Sequence, residues 1–558
     1  MKTFSEVLKA YYLEQPEKVA LYLLESGHED GSVDYRDLID GAAAYARAIK
    51  EQGIQQGEVV ILILQHGRDL INAFFGAILH GAIPAIMPFL TEKLLPERYR
   101  ADLASLVSIT KPSAVVTYPE FLSEVQAALK PDDSVRAVIV SDQVPASITP
   151  DFDTLGSLKC SPEDIVFLQH SSGTTGLQKG VALSHQAVFN QVENYAQSLH
   201  MNAEDVVVSW LPLYHDMGLI AGFLMPILSG TPLVLMSPFE WVRAPYRLMQ
   251  AVSKYRGTLS WLPNFAYNFC AKRIRDRHLQ GVDLSSWRSI SNCSEPMRWE
   301  SHQKFYERFK DYGLKYEALN TCYAMAENVF AVTQGGVDGP VTVDVIDREA
   351  FQTRWIAQPA EGDEGTIKML SAGLPIPKTE VAILGKDRDV LADRQVGEVA
   401  LRSDCMLTEY YHRPDATEKA FHQGWYLTGD YGYRVAGELY VSGRKKDMII
   451  VGGKNVYPQD LEELAMEVPG VHAGRVSAFG IFNEEEGTED VVIVAEVDTK
   501  DDNERSQIAD GIRQVITRGS AIALRQVHIV DLKWLVKTSS GKNARLANRD
   551  KYLKETST

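Results

Sequence analysis

Short apolar runs recur through the first half of the chain with helix-like stretches between them. Val59 to Leu64, Ala82 to Met87, Ala114 to Thr117, Ala137 to Ser141, Ile165 to His170 and Val206 to Trp210 are each apolar nearly throughout instead of alternating with polar residues. That is the pattern of strands covered on both faces, so the rhythm predicts parallel strands joined by crossover helices. From about Met448 the texture changes: Met448 to Val451, Arg475 to Phe479, Val491 to Val497 and Val527 to Val530, with helical stretches between them, predict a compact α+β module. At 558 residues the chain exceeds what one core comfortably serves. The expected fold is α/β: a large N-terminal domain of mostly parallel sheets with covering helices, residues 1–446, and a small C-terminal α+β domain, residues 447–558. No internal repeat or low-complexity tract interrupts this plan.

Composition narrows the function. With 45% hydrophobic and 23% charged residues, the chain is an ordinary globular one. Its formal net charge of -17 sets up a field that opposes nucleic acid and anionic lipid, so any anionic ligand has to be held by cations gathered locally. Cys160, Cys270, Cys293, Cys322 and Cys405 show neither a close pair nor zinc-ligand spacing, and are expected as reduced thiols of a cytoplasmic protein. Glu6 and Lys9 fall where a secretory peptide needs an unbroken apolar stretch. The longest apolar run, around Leu219 to Leu228, is broken by Gly222 and Pro226 and falls short of the ~20 residues of a membrane span, so no stable membrane insertion is expected.

The densest candidate for chemistry is HSSGTTGLQKG, His170 to Gly180, between a strand candidate and a helical stretch from Gln186. Strand, loop and helix in that order make an anion site. Gly173 and Gly176 let backbone N–H groups approach an oxyanion, Ser171, Ser172, Thr174 and Thr175 offer hydroxyls, and Lys179 supplies charge. A solvated Ser/Gly turn has the same composition. The nucleotide-triphosphatase loop is excluded, since it needs four residues between its glycines and Ser or Thr after the Lys, where this chain has Gly180.

Together with later segments, this loop resembles the adenylate-forming superfamily of acyl-CoA synthetases, peptide-synthetase adenylation domains and luciferases, over nearly the whole chain. The resemblance implies an adenylate site on the large domain, a small domain that swings over it, and ATP with Mg2+ as cofactors. SNCSEPM, Ser291 to Met297, matches the loop under the nucleotide and places Ser294, Glu295 and Pro296 beside adenine. TCYAMAE, Thr321 to Glu327, matches the segment in which Tyr323 stacks on adenine and Glu327 helps hold magnesium with Thr174 or Thr175; Thr321, Cys322, Ala324 and Met325 accompany them. GWYLTGD and GRKKD bring Asp430 and Arg444 to the ribose and phosphate, with Asp447 at the hinge. KTSSGK, Lys537 to Lys542, matches the loop of the catalytic lysine, here Lys542, which stabilises charge between substrate carboxylate and α-phosphate. In LPLYHDMGLI, His215 stands near the acyl tunnel, and Trp261, Phe265 and Tyr267 are candidates to line it. Ala324 replaces the Gly usual in relatives, and its methyl narrows the pocket.

Three functions are compatible with these residues: a fatty acyl-adenylate ligase, an acyl-CoA or aryl-CoA synthetase, and an inactive nucleotide-binding scaffold. The third is disfavoured because Lys179, Glu327, Asp430, Arg444 and Lys542 are all present. Between the first two, the stretch Gln334 to Met369 decides. Its VTVDVIDREAF, Val341 to Phe351, resembles the insertion of fatty acyl-AMP ligases, as does NVYPQDLEE, Asn455 to Glu463. The resemblance implies a fatty acid substrate and an acyl carrier protein as acceptor, with CoA as the alternative.

Overall fold

Five of the six apolar runs in the first half assemble into one sheet. The computed structural model of the chain describes residues 2–25, 27–89, 96–170, 179–451, 454–483, 488–520, 522, 524–538 and 541–556, the side chain of Arg98 excepted. Among these residues a seven-stranded sheet runs in the order Glu409–Tyr410, Gly180–Ser184, Ile165–His170, Ile83–Ile86, Val59–Leu62, Ala114–Thr117, Ala137–Val140. The last five are parallel. Every residue of VVIL, IPAI and AVVT is buried, as strands covered on both faces require. The helix Arg68–His80 packs on this sheet, and Tyr35–Glu51 packs on that helix so closely that a Cβ on Gly76 would lie 2.5 Å from the Cβ of Tyr45.

A second sheet of nine strands takes the sixth run. Its parallel centre comprises Leu319–Ala324, Ser289–Cys293, Leu259–Pro263, Val207–Ser209, Leu233–Met236 and Val19–Leu24. A continuous core including Phe74, Phe75, Phe167 and Phe223 joins elements of the two sheets. An antiparallel sheet built around Gly397–Ser403, Trp425–Val435 and Glu438–Arg444 completes the large N-terminal domain. The smaller C-terminal domain is α+β, as expected: the sheet Val471–Asn483, Thr488–Val497, Leu524–Val530 packs with the helices Pro458–Met466, Asp502–Ser520 and Arg545–Thr556. Among the described residues no helix is long and apolar enough to cross a membrane.

The expected strand–loop–helix order around HSSGTTGLQKG is corrected. Residues 171–178 lie outside the described residues, and the next element is a strand, Gly180–Ser184, antiparallel to Ile165–His170 with His170 opposite Gly180. The helix His185–Ser198 starts only after it, capped by Ser184. Five strand residues, about 16 Å, separate the loop from that helix N-terminus. The apolar VALS is buried inside the sheet, between Ile165–His170 and Glu409–Tyr410.

The segment Val343–Leu370 forms a small unit of its own. Val343–Asp347 pairs with Thr366–Leu370, and the helix Arg348–Arg354 lies between them in sequence. Ile346, Phe351 and Ala357 share a core with Val396, Tyr433 and Tyr440 of the large domain and with Tyr457 of the small one. Asp344 accepts from Tyr433 at 2.9 Å and pairs with Arg394 at 3.1 Å. Toward the small domain, Arg348 donates to the carbonyl of Gly519, and Gln352 O accepts from Asn455 Nδ2 at 2.9 Å.

The two domains also meet through Arg298, whose guanidinium lies 2.5 Å from Asp460 and 3.1 Å from Glu463 on the helix Pro458–Met466. Arg298→Ala is expected to speed amide exchange across Pro458–Met466 roughly fivefold, the equivalent of about 1 kcal/mol, while the sheet Val471–Asn483 stays protected. Unchanged exchange in that helix, measured by mass spectrometry, would show that other contacts carry it.

Candidate active site

Parallel strands end alike, and here the ends of both sheets open onto one groove. Gln65 and His66 follow Val59–Leu62; Met87 to Phe89 follow Ile83–Ile86; Trp210 to Pro212 follow Val207–Ser209; Ser294 to Met297 follow Ser289–Cys293; and Met325 to Glu327 follow Leu319–Ala324. The crevice outside the carboxyl ends of strands is where open α/β sheets place their ligands. The small domain supplies the opposite wall with Lys537, Thr538, Gly541 and Lys542.

Most of the predicted residues that are described meet there. Lys179 lines the groove with its Nζ 4.2 Å from the ring centre of Tyr410. Tyr410 in turn donates to Glu327 Oε1 at 2.8 Å and meets the hydroxyl of Tyr426 at 2.9 Å, so Glu327 is held by an aromatic pair. Across the groove Tyr323 donates to Asp430 Oδ2 at 2.7 Å. Arg444 sits opposite Asp430 in the hairpin register, its Nε 3.6 Å from Oδ1. Burial raises the Asp430 carboxyl above its ordinary value, with Arg444 and Tyr323 pulling the other way. Burial likewise raises Tyr323 well above 10, which keeps it a donor. Lys446 is lowered by burial and by the neighbouring charge of Arg444. The groove thus concentrates cations inside a chain of net charge -17, the local arrangement an anionic ligand needs.

His215 lies on the segment entering a wide-turned π-helix, Met217–Leu224, a geometry concentrated at functional sites. Gly218 makes that entry possible, because a Cβ there would lie 2.2 Å from the carbonyl oxygen of Pro212. His215 Nδ1 is 2.6 Å from Asp216 Oδ1, which also accepts from the Met217 N–H. Burial pushes the Asp216 carboxyl up, but His215, Lys542 and the Met217 N–H together hold it below the usual carboxylate range. The charge of Lys542 is therefore felt at the floor of the groove. The lysine's own loop is tied at its neck, since Lys542 N donates to Thr538 Oγ1 and Thr538 N to Lys542 O.

Some expectations need correction, and others fall outside the described residues. Ser171, Ser172, Gly173, Thr174, Thr175 and Gly176 lie outside the described residues. Thr321 does not reach the groove; its hydroxyl donates to Ser371 O at 2.7 Å inside the sheet. Glu295 lines the groove, but its carboxylate accepts from the Phe265 N–H at 2.9 Å and so caps the helix Asn264–Arg273. Ser294 takes φ +69, with Pro296 beside it, at the turn below the strand. Cys322, Ala324 and Met325 line the groove. Trp261 and Tyr267 belong to the core instead of a channel: Trp261 donates to Tyr195 and Tyr267 to the carbonyl of Ile290, both fully interior. Phe265 does line the groove, and with Phe89, Trp210, Phe239, Val242 and Phe269 it makes an aromatic-rich apolar stretch of its wall.

Asp216, Tyr410, Tyr426 and Arg298 escaped the sequence reading. Asp216 stood inside LPLYHDMGLI beside His215, where an adjacent acid and imidazole were a usable signal. The others act across long sequence separations and carry no local mark.

Comparison with known proteins agrees with this geometry. The family model described as AMP-binding enzyme matches residues 9–411. The medium-chain-fatty-acid–[acyl-carrier-protein] ligase JamA of Moorena producens is 31% identical, covering 97% of this chain and 93% of that protein. A solved structure from studies of fatty acyl-adenylate ligases of E. coli and L. pneumophila superposes with TM-score 0.90 at 26% identity, covering 100% of this chain and 98% of that one. A fatty acyl-adenylate ligase of L. pneumophila in complex with acyl adenylate and pyrophosphate superposes with TM-score 0.74 at 30% identity, covering 99% and 96%. The groove, the two-domain α/β fold and these matches lead to one conclusion: the chain belongs to the AMP-binding enzyme family of adenylate-forming ligases.

Proposed function

We propose that this chain uses ATP to convert a medium- or long-chain fatty acid into its acyl-adenylate, releasing pyrophosphate, and then passes the acyl group to the phosphopantetheine thiol of an acyl carrier protein. The observation that carries the reading is the meeting, in one groove, of Lys179, Glu327, Asp430, Arg444 and Lys542 with an apolar aromatic stretch of the wall. In the first half-reaction the fatty carboxylate oxygen bonds to the α-phosphorus as the bond to pyrophosphate breaks. Lys542 spans carboxylate and α-phosphate and stabilises the charge that develops there. Asp430 accepts from the ribose hydroxyls with the oxygen capacity Tyr323 leaves it, and Arg444 reaches ribose and phosphate from the rim. Tyr323, Ala324, Ser294 and Pro296 form the adenine wall, while Glu295 acts by capping the helix behind it. His215, fixed by Asp216, stands where the channel meets the reacting carboxylate.

The donor set suits Mg2+: Glu327 is one carboxylate in a site that phosphate oxygens would complete, with a hydroxyl of Thr174 or Thr175. The ion would offset negative charge on the triphosphate. The boundary between the domains is proposed at 446/447, where the hairpin ending at Arg444 gives way to the strand Ile449–Val451. A cytoplasmic location is supported by the chemistry, since ATP and free thiols coexist there and all five cysteines are free.

Two experiments test this. Lys542→Ala is expected to lose at least about a hundredfold in acyl-AMP formation while ATP binding persists, the scale of other removed transition-state charges. Full pyrophosphate release by that variant would remove Lys542 from the mechanism. For the acceptor, the insertion Val343–Leu370 pinning the small domain favours a carrier protein. Acyl-AMP should be discharged by a holo carrier protein and barely by CoA at matched concentration. A higher acyl-CoA yield would replace the carrier reading and leave the adenylation chemistry intact.

A further inference from the structure

A saturated hydrocarbon offers nothing to a hydrogen-bonding group, so a channel meant only for one is lined without any. This channel is not. His66 Nε2 and Trp210 Nε1 are both buried, both side chains line the groove, and neither atom has a hydrogen-bond partner among the described residues. Native folds rarely leave such groups unmet, and those they keep call for a partner.

Their setting suggests what the partner is. His66 follows the strand Val59–Leu62 and lines a niche with Ile86, Met87, Pro212, Tyr214 and Phe239. All six residues also line the groove, so the niche opens off the channel. It offers room for little more than one hydroxyl or keto oxygen. Burial lowers the imidazole to about 4, so the ring stays neutral around pH 7 and presents one donor and one acceptor nitrogen. Trp210 cannot turn its N–H elsewhere: its ring stacks on Trp241 at 3.5 Å with 5° between planes, and Phe265 sits edge-on against both.

Resting on the adenylation reading above, we propose that the acyl channel selects an oxygenated fatty acid, one bearing a hydroxyl or keto oxygen along its chain that pairs with His66 in the niche, the Trp210 N–H, outside that niche, being a further donor on the groove wall. A plain acid of the same length still fits the apolar walls but leaves both groups unpaired. An oxygen held instead against Phe89, Phe239 or Phe269 meets only apolar atoms of those side chains, so the preference is positional.

The test uses the full-length enzyme and acyl-AMP formation. Plain fatty acids are first compared to find the preferred chain length, and hydroxy and oxo acids of that length, with the oxygen moved carbon by carbon, come next. At least one isomer is expected to exceed the plain acid about tenfold in kcat/KM, the scale of one well-made buried hydrogen bond. His66→Phe should collapse that ratio toward one, and His66→Gln, which keeps hydrogen-bonding capacity, should restore part of it. If no isomer surpasses the plain acid, or if the preference survives His66→Phe, the proposal is overturned and the adenylation reading stands. Failure of every acid, plain and oxygenated, overturns the adenylation reading and this proposal with it. Should His66→Phe not fold, the wild-type panel decides alone.

Discussion

A parallel sheet covered by helices on both faces has no place within its strands for a charge. Every residue of VVIL, IPAI and AVVT is buried, and the penalty for an unpaired charge there would exceed what such short strands contribute. The chemistry is therefore forced to the strand ends. Because the two sheets share a core and their carboxyl ends open on the same side, the forced positions converge, and His215, Ser294 and Glu327 meet there, joined by Lys179 from the start of the antiparallel strand Gly180–Ser184 and by Asp430 from the antiparallel strand Trp425–Val435. The active groove is a consequence of how the sheets are buried.

Within the groove, charges are kept by pairing them through hydroxyl groups as well as with each other. Glu327 leans on Tyr410 and Tyr426, and Asp430 on Tyr323. A phenol raised by burial remains protonated, so it can hold a carboxylate in place without cancelling its charge. The carboxylates keep their charge and acceptor capacity while their rotamers are fixed. Asp216 differs, being compensated by His215 and by the more distant Lys542, which links the floor of the groove to the small domain electrostatically.

The strands were legible in the chain because continuous apolar runs bounded by polar residues have one ready solution, and the observed limits differ from the expected ones by only a few residues in the first half. The small α+β domain was legible for the same reason. What failed did so where tertiary context outweighed local pattern. Trp261 and Tyr267 read as channel residues, yet their polar atoms found Tyr195 and the Ile290 carbonyl inside the core, which settles a buried aromatic more firmly than an apolar channel can. The stretch after HSSGTTGLQKG looked like loop leading to helix because VALS is too short to declare itself a strand, and only pairing with Ile165–His170 makes it one. Arg298 was invisible because its partners, Asp460 and Glu463, lie far along the chain in the other domain.

Under the proposed function, the arrangement of the domains bears on acceptor choice. The small domain is held by Arg298 to Asp460 and Glu463, by Arg348 to Gly519, by Asn455 to Gln352, by Gln459 Nε2 to Ser442 O at 2.9 Å, and by Phe351 against Tyr457. Each contact is modest, about 1 kcal/mol, but a rotation away from this arrangement breaks them together. A bias of about 5 kcal/mol keeps the rotated state near one part in several thousand, and only a ligand that binds that state preferentially can repopulate it. Free CoA has one flexible arm and a nucleotide with which to supply that difference. A carrier protein brings the same arm together with a docking surface of the order of 1,000 Å², and can draw on both. Two of the contacts, through Arg348 and Gln352, belong to the segment Val343–Leu370, so under the proposed reading that segment raises the threshold an acceptor has to overcome.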